Sequence, residues 1–123
     1  MIGKNGNERA KYAYEKVKKV KMNQKEYRSL VRSFPMMVRN SGLARAVAFL
    51  LQKDAEGKKE GKEYNTLYRQ IETWLTNTHL ISDENLKDAI WNADPQTYRL
   101  LLHEVMELVF WLKSFAEGMF DDV

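Results

Sequence analysis

The stretch YRSLVRSFPMMVRNSGLARAVAFLLQK, residues 27–53, decides the fold class of this 123-residue chain. In its first half the apolar residues recur every three or four positions, as Tyr27, Leu30 and Phe34 do, which is the spacing of one face of an α-helix. Gly42 follows and can adopt the left-handed conformation that often ends a helix. The stretch therefore predicts two successive helices that meet at Gly42.

Helical spacing continues through the rest of the chain, which contains two prolines and six glycines. We expect residues 1–123 to form one domain, an all-α bundle of about six helices. The expected helices begin near Asn5 or Asn7, after Asn23, at Leu43, at Lys62, after Ser82 and at Pro95. Asp94 followed by Pro95 is a strong start signal for the last helix. We expect Gly118 to lie just beyond that helix, and Pro35 to kink or restart the second one.

Composition limits the classes of function. The chain has no cysteine, which excludes disulfide frameworks, thiolate metal sites and cysteine nucleophiles. No apolar run approaches the roughly 18 residues that a membrane helix needs, and the N-terminal residues lack the apolar core of a secretory signal. The segment DAEGKKEG, residues 54–61, predicts a loop. We expect a soluble, cytoplasmic protein that does not contact a membrane.

The sequence offers no convincing catalytic constellation. His79 and His103 each lack the second histidine four residues away that would form a metal pair on a helix. The carboxylate cluster consists of Asp83, Glu84, Asp88 and Asp94, and capping and the helix dipole explain most of it. No nucleophile elbow or phosphate-binding glycine loop is present. We therefore expect no enzyme activity, no metal, no cofactor and no small-molecule substrate.

Charge is divided unevenly along the chain. Residues 1–62 contain 16 lysines or arginines and 6 acidic residues, whereas residues 63–123 contain 4 and 11, so net charges of +10 and −7 give the overall +3. The basic half indicates a polyanionic partner, and the two halves of neighbouring copies could attract each other head to tail. The alternative is that the halves neutralise each other within the fold.

Two helices carry candidate nucleic-acid contacts. At about 100° per residue, the cations of the second helix form a narrow stripe opposite its apolar face, which suits phosphates along a strand. On the first helix, a tyrosine expected to lie away from the apolar face could stack on a base while nearby cations hold phosphates. The expected RNA-binding residues are Lys25, Arg28, Arg32 and Arg39 on the second helix, and Arg9, Tyr12, Lys16 and Lys19 on the first. The alternative for both sets is a solvated basic face.

The last helix has more apolar residues than a one-sided core requires. Leu100, Phe110 and Trp111 lie at or inside the arc that holds its charged residues. Either another part of the domain covers them or they contact a partner, since aromatic anchors concentrate at interfaces. We expect Phe110 and Trp111 to form a partner contact.

Residues 27–53 resemble the central signature of one protein family, the small α-helical subunit of the Cmr complex. This complex is the type III-B CRISPR RNA-guided effector, and the small subunit is counted as its fifth. The resemblance covers about residues 10–78. The residues that carry it are Tyr27, Pro35, the pair Gly42 and Leu43, the pair Ala48 and Phe49, and, downstream, Tyr64, Ile71, Trp74 and Leu75.

The resemblance implies a non-catalytic scaffold for antiviral defence. Several copies of such a subunit stack beside larger backbone subunits and line the channel for guide RNA and target strand. Base pairing then reads the sequence, while the protein supplies a positive groove. The implied partners are other Cmr subunits, further copies of the chain, and guide or target RNA. Two alternatives remain: a helical adaptor that binds only protein, and a helix-turn-helix DNA-binding protein, although the third helix is very apolar for a recognition helix.

Overall fold

The structure, a computed structural model, describes residues 6–55, 62–82 and 85–120 of the chain. Within these ranges there is no strand, so the all-α prediction is confirmed. Most of the predicted loop over residues 54–61 lies outside the described residues. The helices are α1 Gly6–Lys18, α2 Gln24–Ser41, α3 Leu43–Ala55, α4 Lys62–Asn77, α5 Leu86–Asn92 and α6 Pro95–Met119.

The helix α2 lies at the centre of the packing, because it contacts α3, α4 and α6. The long α6 packs along α1 and α2 and also touches α4, while α3 packs against α4 and α5. The core includes buried apolar side chains from every one of these helices. In α2 the apolar spacing read from the sequence places Tyr27 and Phe34 fully inside. Burial of such amphipathic faces supplies most of the stability of helices of this length.

The corner between α2 and α3 consists of one residue, Gly42. Its N–H donates to the Val38 carbonyl at 2.8 Å and closes α2. Its φ is 89° and its ψ is 159°, so the predicted positive φ is present, with a more extended ψ than a left-handed helical residue has. The next N–H, of Leu43, donates to the Tyr98 hydroxyl of α6 at 3.0 Å. The corner is thereby fixed to α6.

The predictions for Pro35 in α2 and for the start of α6 have different outcomes. Pro35 does not restart α2, which runs unbroken to Ser41 with Phe34 and Val38 on either side of the proline buried in the core. A kink at Pro35 stays a prediction. The predicted start of α6 is confirmed, since the Asp94 carboxylate accepts from the Thr97 N–H at 2.7 Å. That bond lowers the pKa of Asp94.

The start of α5 and the end of α6 were predicted wrongly, whereas the predicted end of α5 near Ala93 is confirmed. The helix α5 begins later than the residue after Ser82, because the Asn85 side chain caps it by accepting from the Asp88 N–H at 2.9 Å. Gly118 lies within the last turn of α6 and not beyond it. Phe120 anchors this end of the helix, since its buried ring packs edge-on to Tyr27 with centroids 6.3 Å apart.

Candidate nucleic-acid interface

Arg9 of α1 is an internal residue and not part of a basic surface, which corrects the prediction. Its Nε donates to Glu104 Oε2 at 2.8 Å and its Nη2 to Glu104 Oε1 at 3.2 Å. The Trp74 indole N–H donates to the same carboxylate at 2.8 Å, and Glu107 lies 3.8 Å from Arg9 Nη1. Arg9 and Glu104 are both buried. The sequence missed this because Glu104 is 95 residues away along the chain.

Hydrogen bonds between Arg9 and Glu104 stabilise the charged form of both side chains. The bond to Glu104 raises the pKa of Arg9 above its ordinary value. Burial raises the pKa of Glu104, but the hydrogen bonds from Arg9 and Trp74 and the Arg9 charge outweigh burial, so the net pKa of Glu104 is lowered. Both groups are therefore ionised at neutral pH, and the pair joins α1, α4 and α6.

Tyr12 also lies differently from its predicted position. Its hydroxyl donates to the Gln70 carbonyl at 2.7 Å, and its ring packs on Trp74 with centroids 4.8 Å apart. The ammonium of Lys16 lies over the ring, 5.3 Å from its centroid. Burial raises the pKa of Tyr12 well above its ordinary value. Because Trp74 packs against the ring and Lys16 lies over it, Tyr12 is not an open platform for a stacked base.

The stripe of cations on α2 is partly neutralised by an acidic residue of the same chain. Lys25, Arg32 and Arg39 are exposed and Arg28 is half-buried. Arg32 Nε lies 2.7 Å from Glu117 Oε2 of α6 in an ion pair. That hydrogen bond, followed by the charges of Arg32, Lys113 and Arg28, lowers the pKa of Glu117. The stripe is continuous, since α2 is unbroken, but one acidic residue from the second half of the chain already offsets it.

A depression, hereafter the α1–α4 groove, lies between the end of α1, the α1–α2 turn and α4. Its volume is about 830 Å³. Five cations, Lys16, Lys19, Lys21, Lys62 and Arg69, line it beside one carboxylate, Glu63. Its other walls come from Tyr12, Val20, Met22, Asn23, Tyr27, Asn65, Thr66, Gln70 and Thr73. The groove thus combines a positive rim with aromatic and apolar walls.

Sequence reasoning identified Lys16 and Lys19 of this groove but missed Lys21, Lys62 and Arg69. Lys21 lies in the turn after α1, Lys62 begins α4 and Arg69 is two turns further along α4. No helical register relates residues on two different helices, so their convergence depends on how α1 packs against the rest of the bundle. The run of lysines from Lys16 to Lys21 was the one sequence signal for this region.

An exposed aromatic patch lies on the outer side of α1 and α6. It consists of Tyr14, Phe110, Trp111 and Phe115. Successive ring centroids are 5.5 Å apart for Tyr14 and Phe115, 5.9 Å for Phe115 and Trp111, and 6.1 Å for Trp111 and Phe110. Phe110 is 58% exposed and Trp111 is half-buried. The possibility that this domain covers Phe110 is therefore wrong, and its role as a partner contact stays a prediction.

The remaining polar candidates are dispersed. His79 lies at an exposed turn with φ 64°, and His103 is exposed on α6. Asp83 and Glu84 lie outside the described residues. Over the described ranges, no group of three histidine or acidic side chains could hold a metal ion. None of the helices in those ranges is both long and apolar enough to cross a membrane.

Comparison with known proteins extends the resemblance to nearly the whole chain. The model of a family described as CRISPR-associated protein, Cas_Cmr5, matches residues 5–119. A protein from Thermus thermophilus, named CRISPR system Cmr subunit Cmr5, is 30% identical over 115 residues, which are 92% of this chain and 93% of the relative. The crystal structure of a CRISPR-associated Cmr5 family protein from the same organism is similar with a TM-score of 0.76. That similarity comes at 26% identity and covers 94% of this chain and 97% of that one.

Proposed function

The chain belongs to the CRISPR-associated Cmr5 family, the small subunit of the type III-B Cmr complex, and from this premise we propose that it lines the RNA channel as a non-catalytic scaffold. Several copies stack in the assembly beside other Cmr subunits. Guide and target RNA pass along their basic faces, and base pairing supplies the sequence specificity. The cytoplasm is the compartment that such an RNA-targeting role requires.

The observation that carries the RNA-binding part of this proposal is the distribution of unpaired charge. Acidic residues of the second half are drawn to Arg9 and Arg32, within the fold. Among the described residues, no carboxylate forms an ion pair with Lys16, Lys19 or Lys25, and these lysines are exposed or half-exposed. Lysine is a strongly hydrated point charge that suits phosphate contacts without sequence preference. A strand of any sequence can then lie along this side of the subunit.

The stripe residues Lys25, Arg28, Arg32 and Arg39 contact phosphates in this proposal, together with Lys16 and Lys19. Arg9 is withdrawn from the set because it is buried with Glu104. Tyr12 contributes to the groove wall and not as an open stacking surface. The aromatic patch, through Phe110 and Trp111, contacts another Cmr subunit, since exposed aromatics of this size are typical anchors of interfaces.

The alternatives fit the structure less well. A helix-turn-helix DNA reader would place α3 in a groove of the duplex, yet Leu43, Val47 and Leu50 of α3 are fully buried. A helical adaptor that binds only protein would use the aromatic patch and leave the cations solvated. That second alternative makes a different prediction for charge-reversal variants.

The experiment compares R28E/R32E with a matched control, R45E/R99E, which reverses two exposed arginines on α3 and α6. Each variant is assembled into the Cmr complex, and RNA affinity is measured at several salt concentrations for unrelated target sequences. Losing two phosphate contacts should make the log–log salt slope shallower by roughly 1.4, about equally for every sequence. The control should bind like the wild type. Unchanged affinity and slope for folded R28E/R32E would remove the stripe from the RNA-binding surface.

A further inference from the structure

The α1–α4 groove has features that phosphate contacts alone do not explain. Lys19, Lys21 and Lys62 form no ion pair with any carboxylate of the described residues. They converge with Lys16 on one depression, which Arg69 also lines although it is paired with Glu72 at 3.0 Å. Glu63 is buried there and accepts a hydrogen bond from Asn23 at 3.4 Å. Bringing like charges together is unfavourable unless an anion joins them. The rim is therefore complementary to a ligand with negative charge.

The interior of the groove is aromatic and apolar. The buried side chains of Val20 and Tyr27 line it together with the half-buried Tyr12. Met22, in the α1–α2 turn, also lines it, and 80% of its surface is exposed. A thioether side chain is flexible and adapts to the shape of an apolar ligand. An inorganic anion would gain nothing from these walls, whereas a planar apolar group attached to an anion would bury surface against them.

The size and polar groups of the groove suit a nucleotide. Its volume of about 830 Å³ falls within the roughly 300–1,000 Å³ that is typical of small-ligand sites. Asn65, Thr66 and Thr73 line it and supply amide and hydroxyl groups. Such groups can pair with the polar edge of a base. The groove therefore offers separate surfaces to the phosphate, the ring face and the ring edge.

We propose that the α1–α4 groove binds one unstacked nucleotide of a single-stranded RNA, with the base inside the groove and the flanking phosphates on its lysines. The inference rests on the proposed RNA-binding function and adds a site for a base. The base lies between Tyr12 and the side chain of Met22, and it contacts the part of the Tyr12 ring that Trp74 and Lys16 do not cover. Lys19 and Lys21 contact the phosphates on either side.

The test uses the full chain labelled with ¹⁵N, because NMR detects weak binding. The probes are a short oligouridylate and an abasic ribose-phosphate oligomer of the same length and charge. We expect oligouridylate to shift the backbone amides of Val20, Met22 and Thr73. It should bind about tenfold more tightly than the abasic oligomer, because the base buries apolar surface against the groove walls, at about 25 cal/mol per Å² of buried surface. Equal affinities would reduce the groove to a phosphate contact and overturn the base site.

Two pairs of variants locate the site. K19E/K21E should lower the affinity for oligouridylate by about tenfold or more, whereas K11E/K18E, which reverses two exposed lysines of α1 outside the groove, should not. M22S should bring the affinity for oligouridylate close to that for the abasic oligomer without changing the latter. M36S, at an exposed methionine of α2, serves as its control.

The remaining outcomes also decide the question. If K19E/K21E binds normally while R28E/R32E loses affinity, the RNA-binding function stands and the groove is not its site. If an acidic peptide shifts the groove amides and oligouridylate does not, the groove is a protein-binding site. If no probe shifts them at millimolar concentration, the groove has no such ligand, and a Cmr complex that still binds RNA would preserve the proposed function.

Discussion

The buried pair between Arg9 and Glu104 makes the sharpest prediction about stability. We consider E104Q, which keeps the shape of the side chain and removes its charge. In the wild type, the Glu104 carboxylate accepts three hydrogen bonds, at 2.8 and 3.2 Å from Arg9 and at 2.8 Å from Trp74. The glutamine keeps one oxygen that can accept a hydrogen bond. Its NH₂ group replaces the second oxygen and cannot accept from Arg9 or Trp74. At least one of these bonds is therefore lost, and Arg9 is left without its principal counter-charge.

The expected loss of unfolding free energy follows from the burial of both Arg9 and Glu104. Only 11% of the Arg9 side chain and 5% of the Glu104 side chain are exposed. Removing one partner of a buried ion pair typically costs ~3–5 kcal/mol, because a charge remains desolvated. Glu107, 3.8 Å from Arg9 and 46% exposed, supplies partial compensation, which favours the low end. We expect E104Q to lose about 3 kcal/mol of unfolding free energy, or about 10 °C in Tm for a chain of this size.

Urea and thermal unfolding followed by circular dichroism measure this loss. E107Q is the matched control, and it should lose less than ~1 kcal/mol because that carboxylate is exposed and only the weaker contact disappears. If E104Q does not fold, R9M/E104Q should recover folding, since it leaves no unpaired charge and keeps an acceptor for Trp74. A folded E104Q within ~0.5 kcal/mol of the wild type would show that the pair contributes no more than a surface contact.

The pair also predicts a pH dependence. The pKa of Glu104 is lowered in the folded state relative to its ordinary value of 4.5. Its contribution is therefore fully present above about pH 4.5 and is lost as the pH falls through the lowered pKa. The difference in stability between the wild type and E104Q should shrink below pH 4.5. Other carboxylates with lowered pKa values, such as Glu117, are shared by both proteins and cancel in that difference.

Two further predictions concern the corner and the aromatic patch. G42A should lose ~1–3 kcal/mol in the same unfolding assays, because a φ of 89° is strained for any residue with a Cβ. A loss below ~0.5 kcal/mol would mean that the corner relaxes. F110S should leave the stability of the free chain unchanged within ~0.5 kcal/mol but reduce its recovery with other Cmr subunits in affinity purification. The control L100S, at an equally exposed site on α6, should not reduce it. Equal recovery of both variants would contradict the proposed contact.

Local signals predicted the fold well, because each acts within a few residues. The spacing of Tyr27, Leu30 and Phe34 placed the buried face of α2 correctly. Asp94 and Pro95 marked the start of α6, where the capping bond is present. The errors came from contacts between distant residues. The chain past Gly118 continues in α6 because Phe120 is packed against Tyr27 of α2, and no local pattern contains that contact.

The candidate site was predicted less well for the same reason. A helical wheel places Arg9 beside Lys16 and Lys19 as one more cation, yet the carboxylate that pairs with it lies on α6. The wheel likewise treats Tyr12 as a free aromatic, although Trp74 and Gln70 of α4 hold it. A helical wheel describes one helix, so it cannot show that cations from α1, the following turn and α4 converge. Which cations are neutralised and which converge depends on helix packing.

The helix packing determines which charges of the basic and acidic halves neutralise each other. Part of the acidic half is neutralised within its own chain and is not available to neighbouring copies. Glu104, Glu107 and Glu117 of α6 form ion pairs with arginines of α1 and α2. A guanidinium is weakly hydrated and forms directed pairs, so an arginine loses less than a lysine when it is enclosed. The lysines that remain around the α1–α4 groove keep their hydration until an anion replaces it. Folding thus encloses Arg9 and pairs Arg32 of α2 with Glu117, while Lys19, Lys21 and Lys62 of the groove stay exposed. We infer that the groove attracts an anion more strongly than α2 does. For RNA binding, we therefore expect K19E/K21E to have a larger effect than R28E/R32E, and the reverse order would show that α2 is the principal contact.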